Sequence, residues 1–163
     1  MLQSQSTTYR PSIWMASNDK DHTFNDNAFA NAEAFIKTLK PTILLVEDTD
    51  YLQRINTLFL QKMGCQVDIA SNGRQAVKKA QKHQYHLILM DIGLPIMDGI
   101  EATRAIRRHE AITGQHIPII ALTAFGEPMR EQCERAGVDG FAIKPLLYEQ
   151  MTITLAQHLT PKR

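Results

Sequence analysis

The sequence predicts a doubly wound α/β fold: a five-stranded parallel sheet, strand order 2-1-3-4-5, covered by helices on both faces. Two observations predict it. From Pro41 onward, short apolar runs alternate five times with segments of helical periodicity, the pattern of successive right-handed crossovers onto one parallel sheet. Three of the runs also stop at charged residues: Ile43-Leu44-Leu45-Val46 at Glu47-Asp48, Leu87-Ile88-Leu89-Met90 at Asp91, and Phe141-Ala142-Ile143 at Lys144-Pro145. A strand buried on both faces reads as a continuous apolar run. In an open parallel sheet the carboxyl ends of the strands share one edge, with ligands at the switch point between strands one and three. That is where Glu47-Asp48 and Asp91 are expected to meet.

Residues 1–25 are rich in Ser, Thr, Asn and Asp, contain Trp14, and show no sustained period, so they read as largely disordered. A short helix is expected near 27–40, capped by Asp26 or Asn27, with apolar positions at Phe29, Ala32, Ile36 and Leu39 and a stop at Pro41. Being too short to be stable alone, it is expected either to dock on the globular part or to pair with another copy, with a linker of helical tendency as the preferred reading. The division is thus an N-terminal extension over 1–40 and a folded domain over 41–160. Strands are expected near 42–46, 66–70, 87–90, 118–122 and 140–143, and helices near 50–63, 73–83, 99–110, 127–136 and 148–158. In the first of these helices Leu52, Ile55, Phe59 and Met63 share a face and Gly64 supplies the stop; Gly137 does the same near 136. Pro95 and Gly99 shape the loop after Asp91, and Asp98 is the expected cap of the helix near 99–110.

The chain has 163 residues, the size of one domain plus an extension. Eighteen basic residues nearly balance 17 acidic ones, so no electrostatic footprint for nucleic acid is present. Arg74, Lys78, Lys79 and Lys82 have helical spacing and read as a solvated helix face. The six histidines form no ligand set and read as surface residues. Cys65 and Cys133 lack metal-ligand spacing and read as reduced thiols. No apolar stretch reaches the ~20 residues needed to span a bilayer, and a cytoplasmic protein without membrane contact is expected.

The chemistry lies at the converging strand ends. Three crowded carboxylates repel one another unless a hard cation such as Mg²⁺ sits among them, and one lysine adds compensating charge. Asp91 is then a carboxylate positioned to attack phosphorus and form an aspartyl phosphate. Helix caps and a surface lysine are the alternative reading, which requires coincidence at three strand ends.

Leu-Leu-Val-Glu-Asp (44–48), Leu-Met-Asp-Ile-Gly-Leu-Pro-Ile-Met-Asp-Gly (89–99), Ala-Leu-Thr-Ala (121–124) and Ile-Lys-Pro-Leu (143–146) together resemble the receiver domain of two-component response regulators, over about Pro41 to Leu159. The phrase around Asp91 looks most like receivers of hybrid histidine kinases. The resemblance implies a flavodoxin-like receiver fold with Asp91 as phosphoacceptor and Lys144 and Thr123 contacting the phosphoryl group. It implies Mg²⁺ held by Asp48, Asp91 and the Gly93 carbonyl, with Glu47 acting through water, and a cis Lys144-Pro145 bond. Thr123 and Phe141 occupy the family's switch positions, although a plain core aromatic is an equal reading of Phe141. Gly93 and Phe125 stand where fast-hydrolysing relatives carry polar residues, which implies a long-lived phosphate.

The implied function is a stand-alone receiver that takes a phosphoryl group from a sensor histidine kinase or histidine phosphotransfer protein and signals to a downstream protein by contact. It would catalyse only its own phosphorylation and dephosphorylation. A receiver fragment of a hybrid kinase is one alternative. An aspartyl-nucleophile phosphatase resembling the haloacid-dehalogenase family is another, disfavoured because Gly93 stands where that family places a general acid. A DNA-binding regulator is a third, disfavoured because only Thr160 to Arg163 follow the last expected helix.

Overall fold

The central strands carry the fold. β1 (Thr42–Val46), β3 (Leu87–Asp91) and β4 (Ile119–Thr123) are buried almost without interruption, whereas β2 (Gln66–Ala70) and β5 (Gly140–Ile143) are partly exposed. The computed structural model describes residues 26–124 and 127–160. The polar stretch 1–25, with Trp14, and Phe125 lie outside the described residues. The five strands form one parallel sheet in the order β2-β1-β3-β4-β5, as the alternating pattern predicts. The helices are α1 (Asp26–Leu39), α2 (Asp50–Lys62), α3 (Gly73–Lys82), α4 (Gly99–Thr113), α5 (Glu127–Ala136) and α6 (Tyr148–His158).

Side chains alternate across the pleat, so each strand feeds two cores. Ile43, Leu45, Leu87, Leu89, Ile120 and Leu122 pack with Leu60 and Met63 at the end of α2 and with Met151 and Leu155 of α6. On the other face Leu44, Val46, Ile88, Met90 and Ile119 pack with Ala76 of α3 and with Ala102 and Ile106 of α4. Cys133 and Ala136 of α5 cover Ile92, Ile100 and Ala121. Both cysteines are buried free thiols, and burial pushes Cys65 up to about 12, which makes it unreactive.

Helix ends follow local chemistry. Asn72 and Asp98 accept from the amides of Gln75 and Glu101, at 2.9 and 2.8 Å, capping α3 and α4. Gly64 and Gly137 follow their helices with φ of +87° and +98°, where a Cβ would be strained. α4 runs to Thr113 and stops at Gly114, also at positive φ, three residues past the expected end. Gly99 is needed for close approach: a Cβ there would collide with the Asp91 carbonyl oxygen.

The opposite edge of the sheet from Asp91 is tied by Arg107. Its guanidinium donates to the Gly137 carbonyl at 2.8 Å, to Glu110 at 2.6 Å, to the Ile117 carbonyl at 2.9 Å and to Asp139 at 2.6 Å. Glu110 and Asp139 also accept from the amides of Ile117 and Ile119 at 2.7 and 2.8 Å, and His116 pairs with Asp139 at 2.8 Å. His86 accepts from the Thr42 amide at 3.1 Å, and His158 bonds the carbonyl of Thr154 at 2.9 Å. His116 stays exposed, as expected of a surface residue, whereas His86 and His158 are half-buried in these bonds. Lys79, expected on a solvated face, pairs with Asp68 at 2.6 Å.

α1 departs from the linker reading. Ile36 is fully buried and joins the core cluster of Leu60, Met63, Met151 and Leu155, with Phe35 and Leu39 packed beside it. Glu33 accepts a hydrogen bond from Tyr148 at 2.6 Å, and this bond holds its carboxyl below the ordinary range. The helix closes through Lys40, at φ +48°, and Pro41. The packed unit therefore begins within the extension, before Pro41.

Candidate functional site

Glu47, Asp48, Asp91 and Lys144 meet at the carboxyl edge of β1, β3 and β5 because each follows or ends a strand paired in register with its neighbour. Lys144 Nζ donates to Asp91 Oδ2 at 2.8 Å and to Glu47 Oε2 at 3.1 Å. Glu47 is fully buried and Asp91 is 5% exposed, whereas Asp48 is exposed. The three carboxylates offer oxygens within 4.8 Å of one another. One lysine against three ionised acids leaves two negative charges in excess, which suits a divalent cation.

The charges respond to this crowding. Burial raises the Glu47 carboxyl above its ordinary value, against the lowering hydrogen bond from Lys144, and the charge of Asp91 adds to the rise. Burial works to lower Lys144, but its hydrogen bonds to Asp91 and Glu47 prevail and the net shift is upward. Lys144 thus remains a fixed cation.

Backbone groups complete the cradle. The Gly93 amide donates to Asp91 Oδ1 at 3.0 Å and the Thr49 amide to Glu47 Oε1 at 3.2 Å. The Gln53 side chain bonds the Glu47 carbonyl at 2.6 Å and Ser71 at 3.2 Å. Above Asp91 opens a cleft of about 570 Å³, lined among others by Asp48, Gly93, Thr123, Met129, Gln132 and Lys144. Thr123 ends β4, is buried, and reaches the cleft beside Asp91. Lys144-Pro145 is cis.

Six of the sequence-predicted residues therefore converge: Glu47, Asp48, Asp91, Gly93, Thr123 and Lys144. Phe141 does not line the cleft. It is half-buried against the Ile92–Cys133 cluster, with the Arg130 guanidinium 5.4 Å from its ring centroid. Phe125 lies outside the described residues. Sequence reasoning missed Gln53, Met129 and Gln132; for the last two the signal is positional, since the crossover after Thr123 has to pass over the cleft.

Comparison with known proteins agrees with this arrangement. The response regulator receiver domain profile matches residues 43–156. The chain belongs to the response regulator receiver family. The receiver superposes on that of a sensor histidine kinase of Pseudomonas aeruginosa PAO1, solved with magnesium coordinated in its active-site cleft. The TM-score is 0.67 at 39% identity, over 72% of this chain and 96% of that one. It also matches the receiver domain of Ssk1 from the Saccharomyces cerevisiae Ypd1–Ssk1 co-crystal, with TM-score 0.65, 32% identity, and 69% and 84% coverage. Histidine kinase 1 of Arabidopsis thaliana is 37% identical over 153 residues, 73% of this chain but only 13% of that kinase. The receiver thus spans a small part of the length of such relatives. Among the described residues no helix is long and apolar enough to cross a membrane.

Proposed function

We propose that the chain is a phosphoryl-accepting receiver in which Asp91 takes a phosphoryl group from a phosphohistidine of a sensor kinase or phosphotransfer protein. The observation that carries this reading is the buried Asp91 carboxylate held by Lys144 within 4.8 Å reach of two further acids. An Asp91 oxygen attacks phosphorus, the P–N bond breaks, and its electron pair stays on the imidazole nitrogen. The product is an acyl phosphate on Asp91. Such transfer depends on positioning and charge neutralisation more than on covalent chemistry by the protein.

The chain's own groups supply the positioning. The Gly93 amide and Lys144 fix the two Asp91 oxygens, and Lys144 passes from Asp91 to a phosphoryl oxygen as the bond forms. Thr123 stands in the cleft to donate to another. Asp48, Asp91 and the Gly93 carbonyl would hold Mg²⁺, with Glu47 behind them, and when bound the ion neutralises charge on the transferring group. The fully buried Glu47, already engaged by Lys144 and the Thr49 amide, is suited to act through water rather than directly.

A protein donor fits the surroundings. Of the six large apolar residues left exposed among those described, four, Tyr51, Ile96, Ile143 and Leu147, lie at the start of α2, in the β3–α4 loop, or around the end of β5, the sheet edge that carries Asp91; Leu58 and Ile112 lie elsewhere. Exposed apolar groups concentrated at one edge mark a contact surface. The reading applies equally to a free receiver and to one carried by a hybrid kinase. Signalling would pass by protein contact through α5, β5 and α6, which Thr123 and Phe141 border.

Labelling by acetyl phosphate or a phosphorylated histidine protein tests the assignment. Asp91→Asn should abolish it, and persistent stoichiometric, Mg²⁺-dependent labelling of that variant would refute it.

A further inference from the structure

Tyr148 opens α6 four positions after Lys144, yet elements outside that loop grip it. Its hydroxyl donates to Glu33 of α1 at 2.6 Å. Phe29 of α1 and Phe59 of α2 meet its ring edge-on, with centroids 6.1 and 5.6 Å away. The Lys62 ammonium lies 4.4 Å over the same ring. Edge-to-face pairs and a cation over an aromatic face each add attraction beyond simple burial. Between the two residues, Leu146 packs into the core cluster that contains Ile36. The β5–α6 loop is thus fastened at one end to the phosphoacceptor through Lys144 and at the other to α1 through Tyr148, with little slack between.

α1 is held to the domain by one face. Its buried side is Ala32 and Ile36, while Ala30, Asn31, Ala34, Lys37 and Thr38 face solvent, so only the inner face holds it. A helix of 14 residues is marginal without that packing. It joins the sheet through Lys40 and Pro41 alone, a short joint.

We infer that α1 reports the state of Asp91: loading the carboxylate draws Lys144 outward, relaxes the grip on Tyr148 and loosens α1 from the groove between α2 and α6. The inference rests on the phosphoacceptor reading above. A phosphoryl group occupies the space where Lys144 now touches Asp91 Oδ2 at 2.8 Å, and Lys144 cannot follow it and keep its 3.1 Å bond to Glu47. Linkage makes the effect mutual, so weaker docking of α1 favours the loaded state by the same factor.

Hydrogen exchange of the full chain in Mg²⁺, with and without beryllofluoride as phosphoryl mimic, tests both directions. Amides of α1 should exchange about fivefold faster with the mimic, at the lower end of ordinary coupling factors, while loops around Asp91 become protected. Protected Asp91 loops with unchanged or slower α1 exchange would overturn this inference alone. No response anywhere would overturn the phosphoacceptor reading beneath it. In the second arm Tyr148→Phe keeps the ring and removes only the hydroxyl that bonds Glu33. Beryllofluoride should then bind about two- to fivefold more tightly, the scale of one hydrogen bond. A merely structural Tyr148 would lower stability and leave that affinity unchanged, and an unchanged or weaker affinity would refute the coupling.

Discussion

Replacing Lys144 with Met isolates what the lysine does for the acidic site, because length is kept and charge removed. Two charge-assisted hydrogen bonds are lost, at 2.8 and 3.1 Å, and a fully buried Glu47 is left facing Asp91. Breaking a wholly buried ion pair costs about 3–5 kcal/mol; the Lys144 side chain is 20% exposed, which places this loss at about 2–3 kcal/mol. With a urea slope of about 1–3 kcal/mol per molar, the unfolding midpoint should fall by roughly 0.7–3 M. The sign of the pH dependence follows from Glu47. Its carboxyl is already raised by burial, and losing Lys144 raises it further. A carboxyl with a raised folded pKa is penalised fully above that pKa, and the penalty fades as pH falls through it toward the unfolded value. The deficit of Lys144→Met should therefore be smaller at mildly acidic than at neutral pH. It should also shrink in Mg²⁺, because a folded site that has lost the Lys144 charge binds the cation more tightly than the parent's. Urea melts at both pH values, in chelator and in Mg²⁺, measure all of this; a loss indifferent to pH and to Mg²⁺ would refute the electrostatic account.

Asp48→Ala should abolish phosphorylation at ordinary Mg²⁺ while raising or preserving the stability of the metal-free fold, since it relieves like-charge crowding; an undiminished labelling rate contradicts the metal set. A Cβ at Gly93 meets only Asp91 Oδ1, at 3.9 Å, so Gly93→Asn fits and offers a hydrogen bond to attacking water. Loss of phosphate should quicken about 10-fold, and up to about 100-fold with Phe125→Glu, corresponding to roughly 1.4–3 kcal/mol; a double variant no faster than the parent sinks the idea. Ile36→Ala should cost about 2–4 kcal/mol in a denaturant melt, and a loss within ~0.5 kcal/mol, the range of surface substitutions, would mean α1 is not part of the core.

Much of the site was legible because it is written at strand ends. The expected strands 42–46, 66–70 and 140–143 coincide with those observed, and only the central ones run one residue further, to place Asp91 and Thr123 on the sheet itself. Pro118 cannot donate to a ladder, although its carbonyl accepts from Ile88 at 2.8 Å, which is why β4 begins one residue later than expected. That α1 could dock was legible from its apolar stripe, but where it docks was not. Phe29, Ala32, Ile36 and Leu39 announce a helix, but the partners Phe59 and Tyr148 are distant in sequence and nothing local names them. The Arg107 ties were missed for a similar reason, although Glu110, one turn after the buried Ile106 on the inward stripe of α4, was a charge out of place.

The Arg107 ties fix a fulcrum. They clamp the α5–β5 turn at Gly137 and Asp139, so the C-terminal end of α5 is pinned while Met129, near its other end, and Gln132, midway along it, line the cleft. A helix of ten residues is about 15 Å long. A tilt of ~10° about the pinned end therefore carries the free end about 2.5 Å, the width of a phosphoryl oxygen. Any shift of α5 at the acidic cleft would therefore turn about the far edge of the sheet, which the Arg107 ties hold fixed.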